Sequence, residues 1–411
     1  MVHFYVLNPA HKLCSITRWL FKGSRRILKQ VHASSVFSGV SQVEEPVKRA
    51  KVNILDLIQT DLPQVPQSTL IRDVNYYKED FEGGFCIFRV ESTLFKVHKC
   101  FLLRESSAFG DMFSLPAIPG IQEGLSDDSA IPLSDTAEQF QDLLWALYAL
   151  PSQLYSVSEI DSLPLERVLN VAELAHKYCI ASYEDWALER LLLLAQSGHV
   201  SLRQASSALH ARALNIAALS DHKPLLDALT QRLIPRILWS DMDRRPILDI
   251  AGRHGLSKLQ GVIHYKELIA YERAAYAAGH KPADYPLFPS EVDSDPQRRQ
   301  ELLAAHHSLL NLWECIKANP PHFMEPHDCP THLDCLATWS DLWTHAAEAQ
   351  QTARLPAADV LGRLKAMMIL LKKALRESEG ISLGCSLAAL ESITVEREDI
   401  VAGLMSHFQQ Y

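Results

Sequence analysis

The sequence predicts an α+β chain in which a small sheet with helices is followed by a mostly α-helical C-terminal region. Two observations predict this fold class. Residues 85–97 contain two short runs rich in β-branched and aromatic residues around Glu91-Ser92, which is typical of a β-hairpin. From Ala195 to Tyr271, leucine and isoleucine recur at helical spacing. We therefore expect a basic extension and linker at residues 1–69, a first folded domain at 70–192 and a helical region at 193–411.

The composition is that of a soluble globular protein. The 411 residues are 47% hydrophobic and 22% charged, which is enough apolar material for more than one core. No apolar run reaches the roughly 18 residues that a membrane span needs, so we expect no transmembrane segment. The eight cysteines are scattered along the chain without a secretory leader, which favours a reducing compartment, cytoplasmic or nuclear, over a disulfide framework.

Charge is distributed unevenly. The net charge is −9, but residues 1–43 hold six Lys and Arg and no acid, so the rest of the chain carries −15. An acidic body argues against a nucleic-acid partner, because neutralising phosphates needs a clustered basic face. The basic segment itself is open to several interpretations: a poorly ordered tail, a partner-bound helix, a targeting presequence or a helix on an anionic membrane.

Helices and one more strand are expected after the hairpin. Leu102, Ser106, Phe109 and Phe113 recur every three or four residues, which predicts a helix that ends at Pro116. The remaining elements of the first domain are predicted as a strand at 130–133 and helices at 136–147, 168–178 and 180–191.

The order of these segments carries a family resemblance. The hairpin, Phe95-Lys96-Val97-His98-Lys99, the apolar stretch 100–113 and the later helices, with Leu174-Ala175-His176-Lys177-Tyr178, resemble the BTB/POZ signature over about 120 residues. The details are most like the large group of fungal BTB domain-containing proteins. The resemblance implies a protein-binding adaptor that forms homodimers through its first helix, whereas no enzyme signature is found in the sequence and no cofactor is expected.

The candidate docking residues follow from this resemblance. Leu102, Phe109, Met112 and Phe113 form an apolar stripe whose default role is core packing, with part of it available as an interface. Ile121-Gln122-Glu123 is similar to the apolar-any-Glu pattern of BTB adaptors of cullin-type ubiquitin ligases; the alternative is a plain solvated loop.

Two further residues bear on function. His98 is expected to hold the strand-to-helix junction, as the resemblance implies, rather than to bind a metal or act in catalysis. The best-known transcriptional members carry an Asp that faces the basic residue at the position of Lys99, but this chain has Phe85 there. A transcriptional regulator or scaffold is therefore the alternative function, ranked below the adaptor.

The C-terminal half contains the one plausible metal site of the sequence. His322, His327, Cys329, His332 and Cys335 lie close together. Zinc takes four Cys or His ligands, usually in two close pairs, and this group lacks that pairing, so we expect no metal and a loop with buried thiols. If a metal binds, the ligands are Cys329, Cys335 and one or two of the histidines, foremost His332.

One internal echo is visible in the helical region. Residues 250–256, Ile-Ala-Gly-Arg-His-Gly-Leu, echo residues 174–180, Leu-Ala-His-Lys-Tyr-Cys-Ile. This similarity predicts a second helical pair built like the end of the first domain. A single echo does not predict a solenoid, because repeat arrays need about three units.

Overall fold

The computed structural model describes residues 84–115, 123–155, 163–277, 295–327 and 329–409. The predicted extension at 1–69, the start of the first domain and most of the loop predicted at 279–297 lie outside the described residues. The chain divides into two compact units: unit 1 runs to Tyr148 and includes Lys177–Ile180, and unit 2 comprises Ala149–His176 and Ala181 onward.

The described elements of unit 1 are a small sheet and three helices: β1 (Phe85–Val90), β2 (Thr93–His98), α1 (Lys99–Leu102), α2 (Ala108–Ser114), β3 (Ile131–Leu133) and α3 (Ala137–Tyr148). Those of unit 2 are helical: α4 (Pro151–Tyr155), α5 (Leu165–Lys177), α6 (Ala181–Ser197), α7 (Val200–Gln204), α8 (Ser207–Leu219), α9 (Lys223–Trp239), α10 (Arg245–Arg253), α11 (Ser257–Ala277), α12 (Pro296–Ala318), α13 (His332–Glu348), α14 (Gln350–Ala353), α15 (Val360–Glu377), α16 (Leu383–Gly403) and a 3₁₀ turn (Leu404–Phe408). The predicted α+β class, with a small sheet and a helical majority, is confirmed. None of the described helices is long and apolar enough to cross a membrane.

The sheet of unit 1 has the strand order β2-β1-β3. β1 and β2 form the predicted antiparallel hairpin, with Val90 opposite Thr93 at the turn, and β3 runs parallel to β1. Glu91 in the turn has a φ of 53°, the sign that the first position of a primed hairpin turn requires. Its carboxylate accepts a hydrogen bond from the backbone N–H of Ala137 at 3.1 Å, so the turn residue also caps α3.

Aromatic side chains form the core of unit 1. Phe88 on β1 packs edge-on against Phe109 of α2 and Phe140 of α3, at ring-centre distances of 5.7 and 5.6 Å. Phe109 also stacks on Tyr178 at 4.4 Å. These contacts join the sheet, two helices and residues 177–180 into one buried cluster, and edge-to-face pairs of this kind stabilise beyond their buried area.

The single helix predicted for residues 100–115 is wrong, because two short helices replace it. α1 ends at Leu102 and α2 begins at Ala108. Ser107 provides the break: its hydroxyl donates to the carbonyl of Leu102 at 3.0 Å and accepts from the N–H of Gly110 at 3.4 Å. A serine that caps a new helix stops the previous one, even where the apolar spacing continues across it.

Unit 2 contains three consecutive helix pairs: α5 with α6, α8 with α9, and α10 with α11. Each pair is joined by a short turn whose left-handed residue is Cys179 (φ 56°), Asp221 (φ 47°) or Gly255 (φ 64°). The sequence echo reflects this shared turn, which ends a helix and starts the next one. The middle pair has the same turn, and only Ile216-Ala217 of its sequence match the echo.

Successive pairs contact each other helix to helix. α8 packs against α10, and α9 packs against both α6 and α11. Polar bonds reinforce the contacts: Arg212 of α8 makes two bonds to the Glu173 carboxylate of α5, at 2.9 and 2.7 Å. His254, just after α10, lies 2.9 Å from the side-chain oxygen of Asn215 on α8. The pairs therefore stack in sequence order within unit 2.

Two buried carboxylates tie α11 to the start of α15. Asp359 accepts bonds from the Tyr265 hydroxyl (2.8 Å) and the Arg273 guanidinium (2.7 Å). Glu272 accepts from the N–H groups of Ala357 (2.6 Å) and Ala358 (3.1 Å). Burial acts to raise the pKa of Glu272, but nearby His306 and these two N–H groups outweigh it, so its pKa lies below the ordinary value.

Candidate functional site

The structure separates the predicted docking residues into two groups. Leu102 and Phe109 are 2% and 1% exposed, so they belong to the core of unit 1 and offer no surface to a partner. Met112 and Phe113 are half-buried on α2, and Glu123 is exposed. Ile121 lies outside the described residues.

Two further apolar residues next to α1 and α2, Leu103 and Leu115, are exposed. We call Leu103, Met112, Phe113 and Leu115 the helical apolar surface. Leu103 is 47% exposed and Leu115 is 71% exposed, and a Leu103 methyl group approaches Gly110 of α2. Exposed leucines beside half-buried aromatic and thioether side chains are typical of protein contact sites.

Lys99 lies beside an aromatic ring. Its ammonium group lies 5.1 Å from the centre of the Phe113 ring, within cation–π range. Phe85 pairs with His98 across the hairpin, and its ring is 5.1 Å from the Lys96 ammonium. The region therefore combines cations with aromatic rings.

His98 lies at the junction between β2 and α1. The Tyr148 hydroxyl accepts from the backbone N–H of His98 at 2.9 Å and lies 2.8 Å from its Nδ1 atom. The Tyr148 ring also packs on Phe101 at 4.2 Å. His98 thus joins the hairpin to the end of α3, which agrees with the structural role that the sequence predicted.

A second site is formed by three buried thiols in unit 2. Cys329, Cys335 and Cys385 bring their Sγ atoms within 4.8 Å of one another, and the distance between Cys329 and Cys335 Sγ is 3.6 Å. The Nδ1 atom of His332 lies 3.5 Å from the Cys385 sulfur. We call these four residues the thiol–imidazole cluster.

The structure selects among the histidines that the sequence offered. His332 is the first residue of α13 and points its Nδ1 atom at the cluster. His322 and His327 are exposed. None of the three histidines belongs to the group of thiols that lie within 4.8 Å of one another, and His332 contacts that group through Cys385. Two of the weak candidate ligands, Cys329 and Cys335, and the favoured histidine are therefore brought together.

Cys385 completes the cluster and was not predicted from the sequence. It is the third residue of α16, and its N–H donates to the hydroxyl of Ser382, which caps the helix, at 3.2 Å. The backbone N–H of Ser382 donates to the Cys335 sulfur at 3.4 Å. Because Cys385 follows His332 by 53 positions, no local spacing rule could have found it.

The thiol–imidazole cluster has both aromatic and polar neighbours. Phe323 contacts the His332 ring edge-on at 5.5 Å, and Trp339 is 2% exposed. Burial raises the pKa of the Cys385 thiol to about 11. Burial acts in the same direction on Cys329, but the neighbouring Ser382, the Thr331 N–H and the other two thiols outweigh it and lower its pKa.

Comparison with known proteins adds no identification. The chain matches no protein family, no curated protein and no solved structure.

Proposed function

We propose that this chain is a protein-interaction adaptor and that unit 1 is a BTB/POZ-type module. The observation that carries the proposal is the path of the chain through unit 1. A hairpin is followed by two helices, by β3 added in parallel beside β1, and by α3, which is the order of elements in the BTB/POZ signature that the sequence resembles. Fold alone does not define function, so the docking surfaces are tested directly.

The first docking surface is the loop that begins at Glu123. Gly124 fixes this loop against β1, since its carbonyl accepts from the N–H of Ile87 at 2.8 Å and its φ of 76° suits glycine. Glu123 itself remains exposed beside this anchor. An exposed carboxylate next to this anchor supports recruitment of a cullin-type scaffold, in which the carboxylate would meet a cationic or hydrogen-bonding group.

The cullin version predicts direct binding of the full chain to the N-terminal domain of a cullin. Glu123→Lys is expected to weaken binding by about tenfold or more, because the charge facing the scaffold is reversed. Asp127→Lys, an exposed charge reversal in the same loop, is the matched control and should bind as wild type does. Binding is measured by biolayer interferometry; no binding by the wild type, or equal binding by both variants, rejects cullin recruitment.

The second docking surface is the helical apolar surface, which we assign to a second copy of the chain. A two-fold contact uses the same patch on both subunits, and exposed Leu103 and Leu115 provide apolar area for it. Leu115→Glu is expected to convert a dimer into a monomer, because it places a carboxylate in a desolvated contact.

The control for the dimer is Leu125→Glu, which changes a leucine that is 49% exposed in a different loop. Sedimentation velocity over a range of concentrations reports the oligomeric state. A wild-type chain that stays monomeric at every concentration contradicts self-association. Equal dimerisation of the two variants contradicts the assignment to this surface.

A further inference from the structure

We propose that the thiol–imidazole cluster of unit 2 is a structural zinc site with three thiolate ligands, Cys329, Cys335 and Cys385, and one imidazole ligand, His332. This inference is independent of the proposed adaptor function, because it concerns a different unit and a different chemistry.

Two separations between donor atoms match those of a tetrahedral zinc ion, and the three sulfurs all lie within 4.8 Å of one another. His332 is not part of that group of three, so its ring would turn from Cys385 toward the other two sulfurs on binding. With Zn–S bonds of about 2.3 Å and Zn–N bonds of about 2.0 Å, tetrahedral geometry places two sulfurs about 3.8 Å apart and a sulfur and a nitrogen about 3.5 Å apart. The observed separations are 3.6 Å between Cys329 and Cys335 Sγ, and 3.5 Å between Cys385 Sγ and His332 Nδ1. A disulfide would instead bring two sulfurs to about 2.05 Å.

The arrangement of ligands along the chain also fits. Cys329, His332 and Cys335 are each separated by two residues, so the loop after α12 and the first turn of α13 supply three donors. Cys385 adds the fourth from the first turn of α16. Four protein ligands leave no open position, which makes the site structural rather than catalytic.

Two features of the backbone suit sulfurs that carry negative charge once a metal is bound. Cys335 and Cys385 lie in the first turns of α13 and α16, where the helix dipoles stabilise negative charge. The N–H of Ser382 donates to the Cys335 sulfur, as outer hydrogen bonds to metal-bound thiolates do. Soft thiolates with one imidazole select zinc over the hard cations magnesium and calcium.

Binding has a mechanical consequence for unit 2. Residues 319–327 and 329–331, between α12 and α13, have no regular secondary structure. A metal bound by Cys329 would fasten this stretch to α13 and α16. Each ligand thiol releases its proton on binding, so the affinity falls as the pH is lowered.

Metal content of the purified full chain tests the proposal. Zinc is added during expression, unbound metal is removed on a chelating resin, and the bound metal is measured by plasma mass spectrometry. We expect about one zinc ion per chain in the wild type. Cys385→Ser is expected to lose most of the zinc, whereas Cys315→Ser, which changes an exposed cysteine on α12, should retain it.

A spectroscopic measurement on the wild type covers the case in which Cys385→Ser does not fold. Replacing zinc by Co²⁺ should give the intense visible bands of a tetrahedral thiolate site, and adding zinc should remove them. A wild type without stoichiometric zinc, a disulfide between cluster cysteines under reducing preparation, or a folded Cys385→Ser that keeps its zinc would each overturn the proposal.

Discussion

The buried carboxylate of Asp135 has two neighbours from a distant part of the sequence. It accepts a hydrogen bond from the Tyr178 hydroxyl and forms an ion pair with Lys177. Burial and the adjacent Asp135 charge raise the pKa of Tyr178 far above its ordinary value. The folded state therefore strongly favours the neutral phenol. Tyr178, which stacks on Phe109, thus also forms a hydrogen bond to Asp135 that depends on pH.

Removing that hydroxyl gives the first stability prediction. Tyr178→Phe should lower the free energy of unfolding by about 1 to 2 kcal/mol at neutral pH, because a buried carboxylate loses a donor. A raised pKa stabilises the fold below the ordinary tyrosine value of 10.0, and this contribution fades as the pH rises above it. The difference between wild type and variant in urea unfolding should therefore shrink above that pH; a constant difference would contradict the assignment.

Single residues also show where prediction from sequence stops. His98 could be assigned a structural role because its position in the motif is local. Cys385 could not be assigned to the metal candidates, since its proximity to His332 depends on how α16 folds back toward α13. The spacing of residues along the sequence does not reveal a ligand that is distant in sequence and comes close only through tertiary packing.

At the scale of elements, two sequence signals between residues 99 and 114 favour different structures: the apolar periodicity favours one helix, and the helix-capping serine favours two. The apolar spacing predicted one helix, and the side chains of Leu102 and Phe109 do point into the core. Ser107 nevertheless ends α1 and begins α2 through its two hydrogen bonds. Periodicity thus identified Leu102 and Phe109 correctly as buried, although Ser106 of the same spacing is exposed and Phe113 is half-buried. The backbone between them followed the cap.

The ion pair between α5 and α8 gives the second stability prediction. Arg212 binds both oxygens of Glu173, and the two side chains are 32% and 20% exposed. Arg212→Lys should lower the free energy of unfolding by about 1 to 2 kcal/mol, because an ammonium cannot reproduce the paired bonds of a partly buried guanidinium.

The matched control for this ion pair is Arg253→Lys, which changes an exposed arginine at the end of α10. It should alter the free energy of unfolding little. A double-mutant cycle with Glu173→Gln then isolates the coupling between α5 and α8. A coupling energy of zero would mean that this ion pair does not help to hold the two helices together.

At the scale of the whole molecule, the sequence predicted the balance of strand and helix but not the organisation of the helices. The predicted hairpin, third strand and helical majority are all present. Only one echo was predicted, because the middle pair shares just Ile216-Ala217 with Ile250-Ala251, at the same distance before the turn. The turn residues Cys179, Asp221 and Gly255 differ but are all left-handed, since different residues can satisfy one backbone geometry.

The stacking of helix pairs has a consequence for how unit 2 comes apart. In such a stack each pair contacts chiefly its neighbours. The free energy of unfolding is therefore approximately a sum of contributions from each pair and from the interfaces between adjacent pairs, and the terminal pairs are the least stable. The last pair is covered, because Tyr265 and Glu272 of α11 form hydrogen bonds with residues at the start of α15. The C-terminal helices therefore act as a cap on the stack. Without them, we expect unfolding to begin at α11 and to proceed from one helix pair to the next.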